Sequence, residues 1–464
     1  MSSSRLSPDA LAALDRAHLV HPVSAWRQHE ERGPMVLASG RGAWLTDVRG
    51  HELLDAFAGL WCVNIGYGQE SVVQAATAQL RNLPYATGYF GFSSEPAIRL
   101  AAKLADITPR SLTRAYLTLG GSEAVDAAVR LIVQYWNALG RPTKKHFISL
   151  ERGYHGSSST GAGLTALPVF HRGFDLPLPT QHYIPSPNPY RHPQGGDAQA
   201  LIAASVDALR AKVAELGAEN VAAFFCEPIQ GSGGVIVPPA GWLKAMREAT
   251  RELDILFVVD EVITGFGRTG PMFACAAEDV EPDLMTMAKG LTAGYVPLGA
   301  LMLSEPVYAA IADAAPAGTP IGHGATYSAH PVAAAVALEV LRLYEEGGVL
   351  SNGQRVARHF AAGLDALREH PLVGDARHRG LLGALELVSD KASKRGFDAA
   401  LALPDRLFAA AYRNGVIFRC FGDGILGFAP ALTFTEAEFE QLFVRLRRTL
   451  DDVLSAPEVR AALT

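Results

Sequence analysis

The chain has 464 residues, and 49% of them are hydrophobic, which places it in the globular class with enough apolar side chains for two or three domains. Its formal net charge of −6 is spread along the chain, so the composition argues against a nucleic-acid-binding protein. No apolar run reaches membrane-spanning length, and residues 1–5 lack the apolar core of an export signal.

The N-terminal part predicts a helical arm followed by a hairpin. Residues 1–33 mix alanine and leucine with charged residues, which favours helix. Residues 43–47 and 53–56 flank a turn at 48–51 that carries a glycine, as expected of two antiparallel strands. The segment 59–68 is rich in glycine and aromatic residues, and its irregular pattern predicts a loop.

From residue 71 onward, helical and strand-like patterns alternate. The predicted helices are 71–83, 96–106, 123–138, 201–216 and 242–253, and the predicted strands are 115–119, 146–150, 221–226, 255–259 and 284–288. The proline-rich stretch 177–196 predicts a long loop. Strands that are apolar without interruption are typical of a mostly parallel sheet covered on both faces, so we expect an α/β fold.

The pattern changes after about residue 331 and predicts a smaller α+β domain. Its predicted helices are 332–344, 355–369 and 435–454, and segments 416–419 and 425–430 are expected to pair with a strand at 380–388. We expect the N-terminal hairpin to join this domain. The predicted division is therefore 1–65 for the arm and hairpin, 66–330 for the large domain and 331–464 for the small domain.

The four cysteines, Cys62, Cys226, Cys275 and Cys420, show no CxxC pairing. Each lies in an apolar neighbourhood, which indicates reduced core thiols in a cytoplasmic protein. Their spacing does not fit zinc ligation, and we expect no metal in the functional site and no membrane partner.

Two predicted strands end on side chains that can do chemistry. The first ends on Asp260 and the second on Lys289, and a parallel-sheet protein binds its ligands at the carboxyl ends of its strands. A lysine in an apolar setting loses its proton more easily, which suits a Schiff-base nucleophile. An aspartate beside it can hold a protonated ring nitrogen. The alternatives are a helix N-cap for Asp260 and a solvated surface lysine for Lys289.

Three further segments suggest ligand contacts. Gly120-Gly121-Ser122 precedes a predicted helix, so its backbone N–H groups form a candidate anion site, although a tight turn with a serine cap explains the same pattern. Tyr154 follows a strand and offers a ring for stacking, or is a buried tyrosine with one hydrogen bond. Thr326 lies in a polar, glycine-rich segment that is either a second anion site or a plain loop.

The segments from Asp260 to Gly270 and from Pro282 to Ala300 resemble the class III (omega) aminotransferases. These are pyridoxal-phosphate enzymes with the aspartate-aminotransferase fold, fold type I, and the resemblance extends from about residue 25 to the end of the chain. It implies pyridoxal 5'-phosphate as cofactor, a mostly parallel seven-stranded large domain with a small α+β domain, and a homodimer or a tetramer of dimers.

The resemblance also implies roles for residues around the cofactor ring. Lys289 resembles the catalytic lysine that holds the cofactor and shuttles a proton, and Asp260 resembles the catalytic partner of the pyridinium nitrogen. Val262 resembles the residue packed under the ring. Tyr154 resembles the catalytic-site aromatic that stacks on the other face, and Glu227 is assigned to the same cofactor site.

The phosphate contacts follow from the same resemblance. Gly121 and Ser122 match the phosphate-binding turn, and Thr326 matches a threonine that reaches the phosphate from the neighbouring subunit. Family members often have serine where this chain has Gly120, so one side-chain donor is missing.

Substrate choice depends on other positions. The segment around Trp61 resembles the subgroup that uses pyruvate as acceptor, in which this Trp shapes the pocket with an aromatic from the Tyr89-Phe90 region of the partner subunit. Arg419 resembles a mobile arginine that binds a substrate carboxylate, or it forms a surface salt bridge. Ser232 stands where ornithine, acetylornithine and 4-aminobutyrate enzymes generally have Glu, which favours pyruvate over 2-oxoglutarate.

We therefore expect a ping-pong transaminase that moves an amino group from an amine or omega-amino acid to pyruvate. The alternatives are a 2-oxoglutarate-dependent class III aminotransferase and a pyridoxal-phosphate-dependent aminomutase, decarboxylating aminotransferase or racemase. A non-catalytic scaffold and a nucleotide-binding protein are less consistent, because Lys289 and Asp260 are intact and no strand–GxGxxG–helix motif is present. The physiological amine is left open.

Overall fold

The computed structural model describes residues 6–464. The expectation that no export signal is present concerned residues 1–5, which lie outside that range. The strands are β1 (Leu37–Arg41), β2 (Trp44–Asp47), β3 (Glu52–Asp55), β4 (Leu112–Thr118), β5 (His146–Leu150), β6 (Gln181–Ile184), β7 (Val221–Cys226), β8 (Leu256–Asp260), β9 (Leu284–Met287), β10 (Gly299–Ser304), β11 (Val373–Arg379), β12 (Leu382–Leu387), β13 (Val416–Ile417), β14 (Arg419–Cys420) and β15 (Ile425–Phe428).

The α-helices account for most of the remaining regular structure. They are α1 (Pro8–His18), α2 (Trp26–Arg32), α3 (Ala58–Trp61), α4 (Glu70–Asn82), α5 (Glu95–Ile107), α6 (Gly121–Ala138), α7 (Ser159–Leu164), α8 (Ala198–Leu216), α9 (Trp242–Glu252), α10 (Glu305–Ala314), α11 (Pro331–Glu345), α12 (Val349–Leu367), α13 (Leu403–Arg413), α14 (Glu436–Ser455) and α15 (Pro457–Ala461). In the described range, no helix is long and apolar enough to cross a membrane.

A seven-stranded sheet forms the centre of the molecule, in the order β4-β10-β9-β8-β7-β5-β6. Its strands are parallel except β10, which runs antiparallel to both of its neighbours. Strands β7 to β10 are buried along their whole length, because helices cover both faces. The predicted α/β fold is confirmed, and the parallel strands end at one edge of the sheet.

The prediction of an unbroken loop at 177–196 was wrong, because β6 lies inside it. This strand pairs in parallel with β5 at the edge of the sheet. Only its end residues, Gln181 and Ile184, are buried, and His182 and Tyr183 between them are partly exposed. A four-residue edge strand of this composition lacks the apolar run by which the central strands were recognised.

Two smaller sheets contain the N- and C-terminal segments. The predicted hairpin is confirmed as the antiparallel pair β2–β3, and β13 adds to β3 in parallel. The expected pairing of segment 416–419 was therefore wrong in part: β13 joins the N-terminal sheet, and only β14 joins β15. Strand β15 pairs with β12 as expected, and β11, which the pattern missed, completes this sheet. The domain boundaries themselves stay a prediction.

The remaining N-terminal expectations hold with one exception. Helices α1 and α2 confirm the helical arm. The segment predicted as a loop at 59–68 begins inside α3, a single turn whose interior departs from helical geometry at Gly59 (φ 69°) and Leu60. Glycine tolerates this positive φ angle, because it has no Cβ.

Arg268 links the large sheet to the two smaller ones. Its fully buried guanidinium follows β8 and donates to the carbonyl oxygen of Leu381 at 3.2 Å, to the carbonyl oxygen of Pro430 and to Asn64 Oδ1 at 2.5 Å. Burial lowers the pKa of Arg268 to about 10. One side chain therefore satisfies buried acceptors from three separate segments.

We expect Arg268→Met to lower the free energy of unfolding by about 3 kcal/mol or more, because buried acceptors lose their donors. Thermal and denaturant unfolding would measure the change. The matched control is Arg358→Met on α12, where the side chain is 74% exposed and the expected change is within about 0.5 kcal/mol. Equal stability of the two variants would contradict the linking role.

Candidate active site

One cavity at the carboxyl edge of the large sheet collects seven residues singled out by the sequence. Its volume is about 110 Å³, and its lining includes Gly121, Ser122, Tyr154, Glu227, Asp260, Val262 and Lys289, together with His155, Gly156, Ile263 and Ala288. Most of them follow a different strand: β4, β5, β7, β8 or β9. The parallel strands bring them together because their carboxyl ends share one edge.

Lys289 occupies a strained backbone position just after β9. Its φ angle of 43° lies in the left-handed region, which costs a non-glycine residue about 1–3 kcal/mol and is concentrated at functional sites. Desolvation lowers the pKa of Lys289, while the nearby Asp260 carboxylate opposes that change. The amine therefore gives up its proton more readily than an ordinary lysine.

Asp260 is held from two sides. His155 Nδ1 lies 2.9 Å from Asp260 Oδ2 with both side chains buried, and the Val262 N–H donates to Asp260 Oδ1 at 3.1 Å. The backbone N–H of His155 is itself fixed by Thr165 Oγ1 at 2.8 Å. This network orients the carboxylate toward the cavity.

His155 is a functional candidate to which the sequence reasoning assigned no role. It follows Tyr154 at the end of the same strand, so the strand-end argument could have found it. Its contact with Asp260 joins positions that are 105 residues apart, and no local pattern reports such a pairing.

The N-terminus of α6 points to an anion. The N-cap residue Gly120 has extended backbone geometry and provides no side-chain hydrogen bond to the helix, so the first-turn N–H groups of this 18-residue helix lack a side-chain cap. A Cβ on Gly121 would lie 3.1 and 3.2 Å from the Val262 methyl groups. Glycine thus permits a close approach between the helix start and the cavity floor.

Glu227 supports the loop that carries Tyr154. Its carboxylate accepts from the backbone N–H groups of Tyr154 and Gly231, both at 2.9 Å. Burial raises the pKa of Glu227 to about 7, with His155 opposing and Asp260 adding to the increase. The Tyr154 ring packs edge-on against Phe170 with a centroid distance of 5.3 Å.

Three of the predicted substrate residues, Trp61, Ser232 and Arg419, do not line this cavity but are connected to its lining residue Ile263 through neighbouring side chains. Trp61 is buried in an apolar cluster with the cavity residue Ile263, and its ring lies 6.5 Å from that of Phe421. The Arg419 guanidinium lies over the same Phe421 ring, 5.3 Å from its centroid. The loop that carries Ser232 contacts Ile263, because a Cβ on Gly231 would lie 2.5 Å from Ile263 Cδ1.

Arg152 connects the three loops around this region. It precedes Tyr154 by two residues, donates from Nε to the Gly233 carbonyl oxygen at 2.8 Å, and pairs with Asp423 at 2.6 Å. Asp423 lies in the turn between β14 and β15, four residues after Arg419 in the chain. The Tyr154 loop, the Ser232 loop and the turn after the Arg419 strand are therefore joined through one guanidinium.

Three predicted residues lie away from the cavity. Tyr89 and Phe90 line a separate cleft of about 970 Å³, and Phe90 is 91% exposed. Thr326 is exposed, and its carbonyl oxygen accepts from the Tyr85 hydroxyl at 2.9 Å. The single chain thus does not bring these residues to Lys289.

The family model described as aminotransferase class-III matches residues 26–450. The chain belongs to the class-III aminotransferase family. Members of this family use pyridoxal phosphate, which is accordingly the cofactor of this enzyme. The resemblance stated from the strand-end motifs is confirmed.

Individual relatives agree with this assignment. The chain is 39% identical over 448 residues to the putrescine–pyruvate aminotransferase of Pseudomonas aeruginosa, which covers 96% of each chain. It superposes with a TM-score of 0.94 on an (S)-enantioselective omega-transaminase from Thermomicrobium roseum, at 38% identity and with 97% and 100% of the two chains covered. It superposes with a TM-score of 0.93 on an omega transaminase from Pseudomonas jessenii in complex with PMP, at 38% identity and with 96% and 98% of the two chains covered.

The polar groups that line the cavity are complementary to those of pyridoxal phosphate. A deprotonatable amine, a buried carboxylate and the uncapped start of α6 match the aldehyde, the ring nitrogen and the phosphate of that cofactor. His155 Nε2 is buried without a hydrogen-bond partner in the described part of the chain, so the site also contains an unsatisfied polar atom. The confirmed fold type and the cavity lead to the same group.

The raised pKa of Glu227 predicts a stability change with pH in the cofactor-free protein. Between pH about 4.5 and 7 the folded state keeps a proton that the unfolded state releases, so raising the pH through this window lowers the free energy of unfolding, by up to about 3 kcal/mol. Glu227→Gln should remove this component.

Calorimetric unfolding of both proteins across the window would measure the difference. The substitution also disturbs one of the two backbone hydrogen bonds, but that cost does not depend on pH. The informative quantity is therefore the slope of the free energy of unfolding against pH. Parallel pH profiles for the two proteins would contradict the assigned pKa.

Proposed function

We propose that this aminotransferase transfers an amino group from an amine or omega-amino acid to pyruvate by a ping-pong reaction. The observation that supports the chemistry is the convergence of Lys289, the Asp260–His155 pair and the start of α6 on one cavity. The 39%-identical relative that is named for putrescine and pyruvate supports the choice of substrates.

Pyridoxal phosphate, when bound, supplies an electron sink for the carbon that loses its proton. Lys289, with its lowered pKa, removes and returns that proton and is also the residue that would hold the cofactor. Asp260, oriented by His155, would keep the ring nitrogen protonated. Val262 and Tyr154 would bound the two ring faces.

The phosphate site is proposed to combine local and distant groups. The first-turn N–H groups of α6 at Gly121 and Ser122 would bind the phosphate, because the helix dipole favours an anion there. The backbone N–H of Ser157 already donates to the Ser122 hydroxyl at 3.2 Å, which places that side chain next to the loop after Tyr154. Glu227 would support this loop from behind.

Arg419 is the proposed contact for the substrate carboxylate. Within residues 6–464 no carboxylate lies within 4.0 Å of its guanidinium, so the expected alternative of a surface salt bridge finds no support there. A guanidinium fork suits a carboxylate such as that of pyruvate. Trp61 and Phe421 would form the apolar wall beside it, and Ser232 leaves no competing negative charge at its position.

We further propose a homodimer, or a tetramer of dimers, in which Thr326, Tyr89 and Phe90 reach the site of the partner. Support comes from their distance from the cavity and from the exposed apolar side chains around them, which are Tyr85, Phe92, Ile98, Ile321 and Tyr327. A contiguous exposed apolar surface marks an interaction site. A cytoplasmic location stays a prediction.

Lys289→Ala should lower the rate of alanine formation from pyruvate and an amine donor by about 10³-fold, because the proton at the reacting carbon loses its base. Amine donors with and without a carboxylate would be assayed. Lys145→Ala, which removes a remote lysine bonded to Asn137 on α6, is the matched control and should keep wild-type rates. A Lys289→Ala enzyme with wild-type turnover would exclude the proposed role, and better turnover of 2-oxoglutarate than of pyruvate by the wild type would exclude the proposed acceptor.

Arg419→Ala should raise KM for pyruvate by about 10-fold or more, because a charge-assisted hydrogen-bonding partner of the carboxylate is removed. The half-reaction with an amine that has no carboxylate should change little. Steady-state kinetics with both substrate types measure the two effects, with Arg413→Ala on α13 as control, since Arg413 is exposed and 3.9 Å from Asp452. A similar loss with both substrate types would argue against carboxylate recognition.

A further inference from the structure

The two helices of the N-terminal arm are joined by an unusual group of side chains. Asp15 on α1 faces His21 in the connecting segment and His29 on α2. Asp15 Oδ2 lies 2.8 Å from His21 Nε2, and Asp15 Oδ1 lies 2.7 Å from His29 Nε2. The two imidazole rings are 4.1 Å apart between centroids and tilted by 40°. Two ring nitrogens thus face the two oxygens of one carboxylate.

We propose that Asp15, His21 and His29 bind a divalent transition-metal ion of the Zn²⁺ type. Two imidazoles and a carboxylate are a donor set that such ions prefer, and three protein ligands leave one coordination position open. The ligand atoms all lie within 4.8 Å of one another. The site is independent of the proposed transaminase chemistry.

The group is positioned before any ion binds. The His21 carbonyl oxygen accepts from Ser24 Oγ at 2.9 Å and from Trp26 Nε1 at 3.0 Å, which holds the connecting segment in place. Both oxygens of the Asp15 carboxylate already face a ring nitrogen, Oδ2 that of His21 and Oδ1 that of His29.

The arm is anchored on both sides of this group. Arg49 pairs with Asp9 of α1 at 2.8 Å, and Arg32 of α2 makes two hydrogen bonds of 2.7 Å with Asp405 of α13. A bound ion would therefore link α1 to the segment that ends in α2, while the Arg49–Asp9 and Arg32–Asp405 pairs keep both helices attached to the rest of the chain.

An entry path is present. His21 and His29 both line a cavity of about 610 Å³ that extends to Arg419. Their side chains are 30% and 19% exposed, so the donor atoms are shielded but reachable. Binding requires each ring to carry its proton on Nδ1, so that Nε2 offers a lone pair to the metal in place of a hydrogen bond to Asp15.

Titration of tag-free holoenzyme with Zn²⁺ in a calorimeter tests the proposal. The wild type should bind one equivalent per chain in a saturable manner and release it to a chelator. His29→Ala and Asp15→Asn should each weaken this binding by about 100-fold or more, because one of three ligands is lost. His18→Ala removes an exposed histidine from the same arm and should leave the affinity unchanged.

Co²⁺ supplies a second measurement, since its d–d absorption reports coordination by nitrogen and oxygen. The band should appear in the wild type and in His18→Ala but not in His29→Ala. Circular dichroism and cofactor absorbance establish that each variant is folded. Absence of saturable binding in the wild type, or equal affinity in His29→Ala, overturns the proposal and leaves a hydrogen-bonded triad only.

Discussion

The shared direction of the parallel strands is the constraint on which the rest of this structure depends. Because β4, β5, β7, β8 and β9 all run the same way, the residues that follow them emerge at one edge of the sheet. Segments that are far apart in the chain supply an amine, a carboxylate, an aromatic ring and an uncapped helix start to one small cavity. The helices on both faces exclude water from the sheet and make that edge the place where polar groups can function.

The same burial sets the electrostatics of the cavity. Desolvation lowers the pKa of Lys289 and raises that of Glu227, so each group moves toward its neutral form. The two carboxylate oxygens of Asp260 are hydrogen-bonded to His155 Nδ1 and to the Val262 N–H. One low-dielectric site therefore contains an amine that deprotonates readily beside a carboxylate that is held in place by donors.

Two arginines connect loops of the large sheet to segments next to the smaller sheets by hydrogen bonds. The fully buried Arg268 donates to carbonyl and amide oxygens of three segments, whereas the partly exposed Arg152 bonds the Gly233 carbonyl oxygen and the Asp423 carboxylate. The planar guanidinium suits this task because it has several donors at fixed angles. Ser232 and Arg419, the proposed substrate contacts, thus depend on contacts made outside the cavity.

The sequence by itself determined the central strands, the ends on which Asp260 and Lys289 lie, and the family, because long apolar runs and spaced motifs are local signals. Only the tertiary structure decided the rest. Strand β6 is too short and polar to show a pattern, and the side chain that His155 offers to Asp260 is chosen by packing between distant segments. Asp15, His21 and His29 are only 6 to 14 residues apart, but they do not fall on one helix, and the path of the segment between α1 and α2 brings their side chains together.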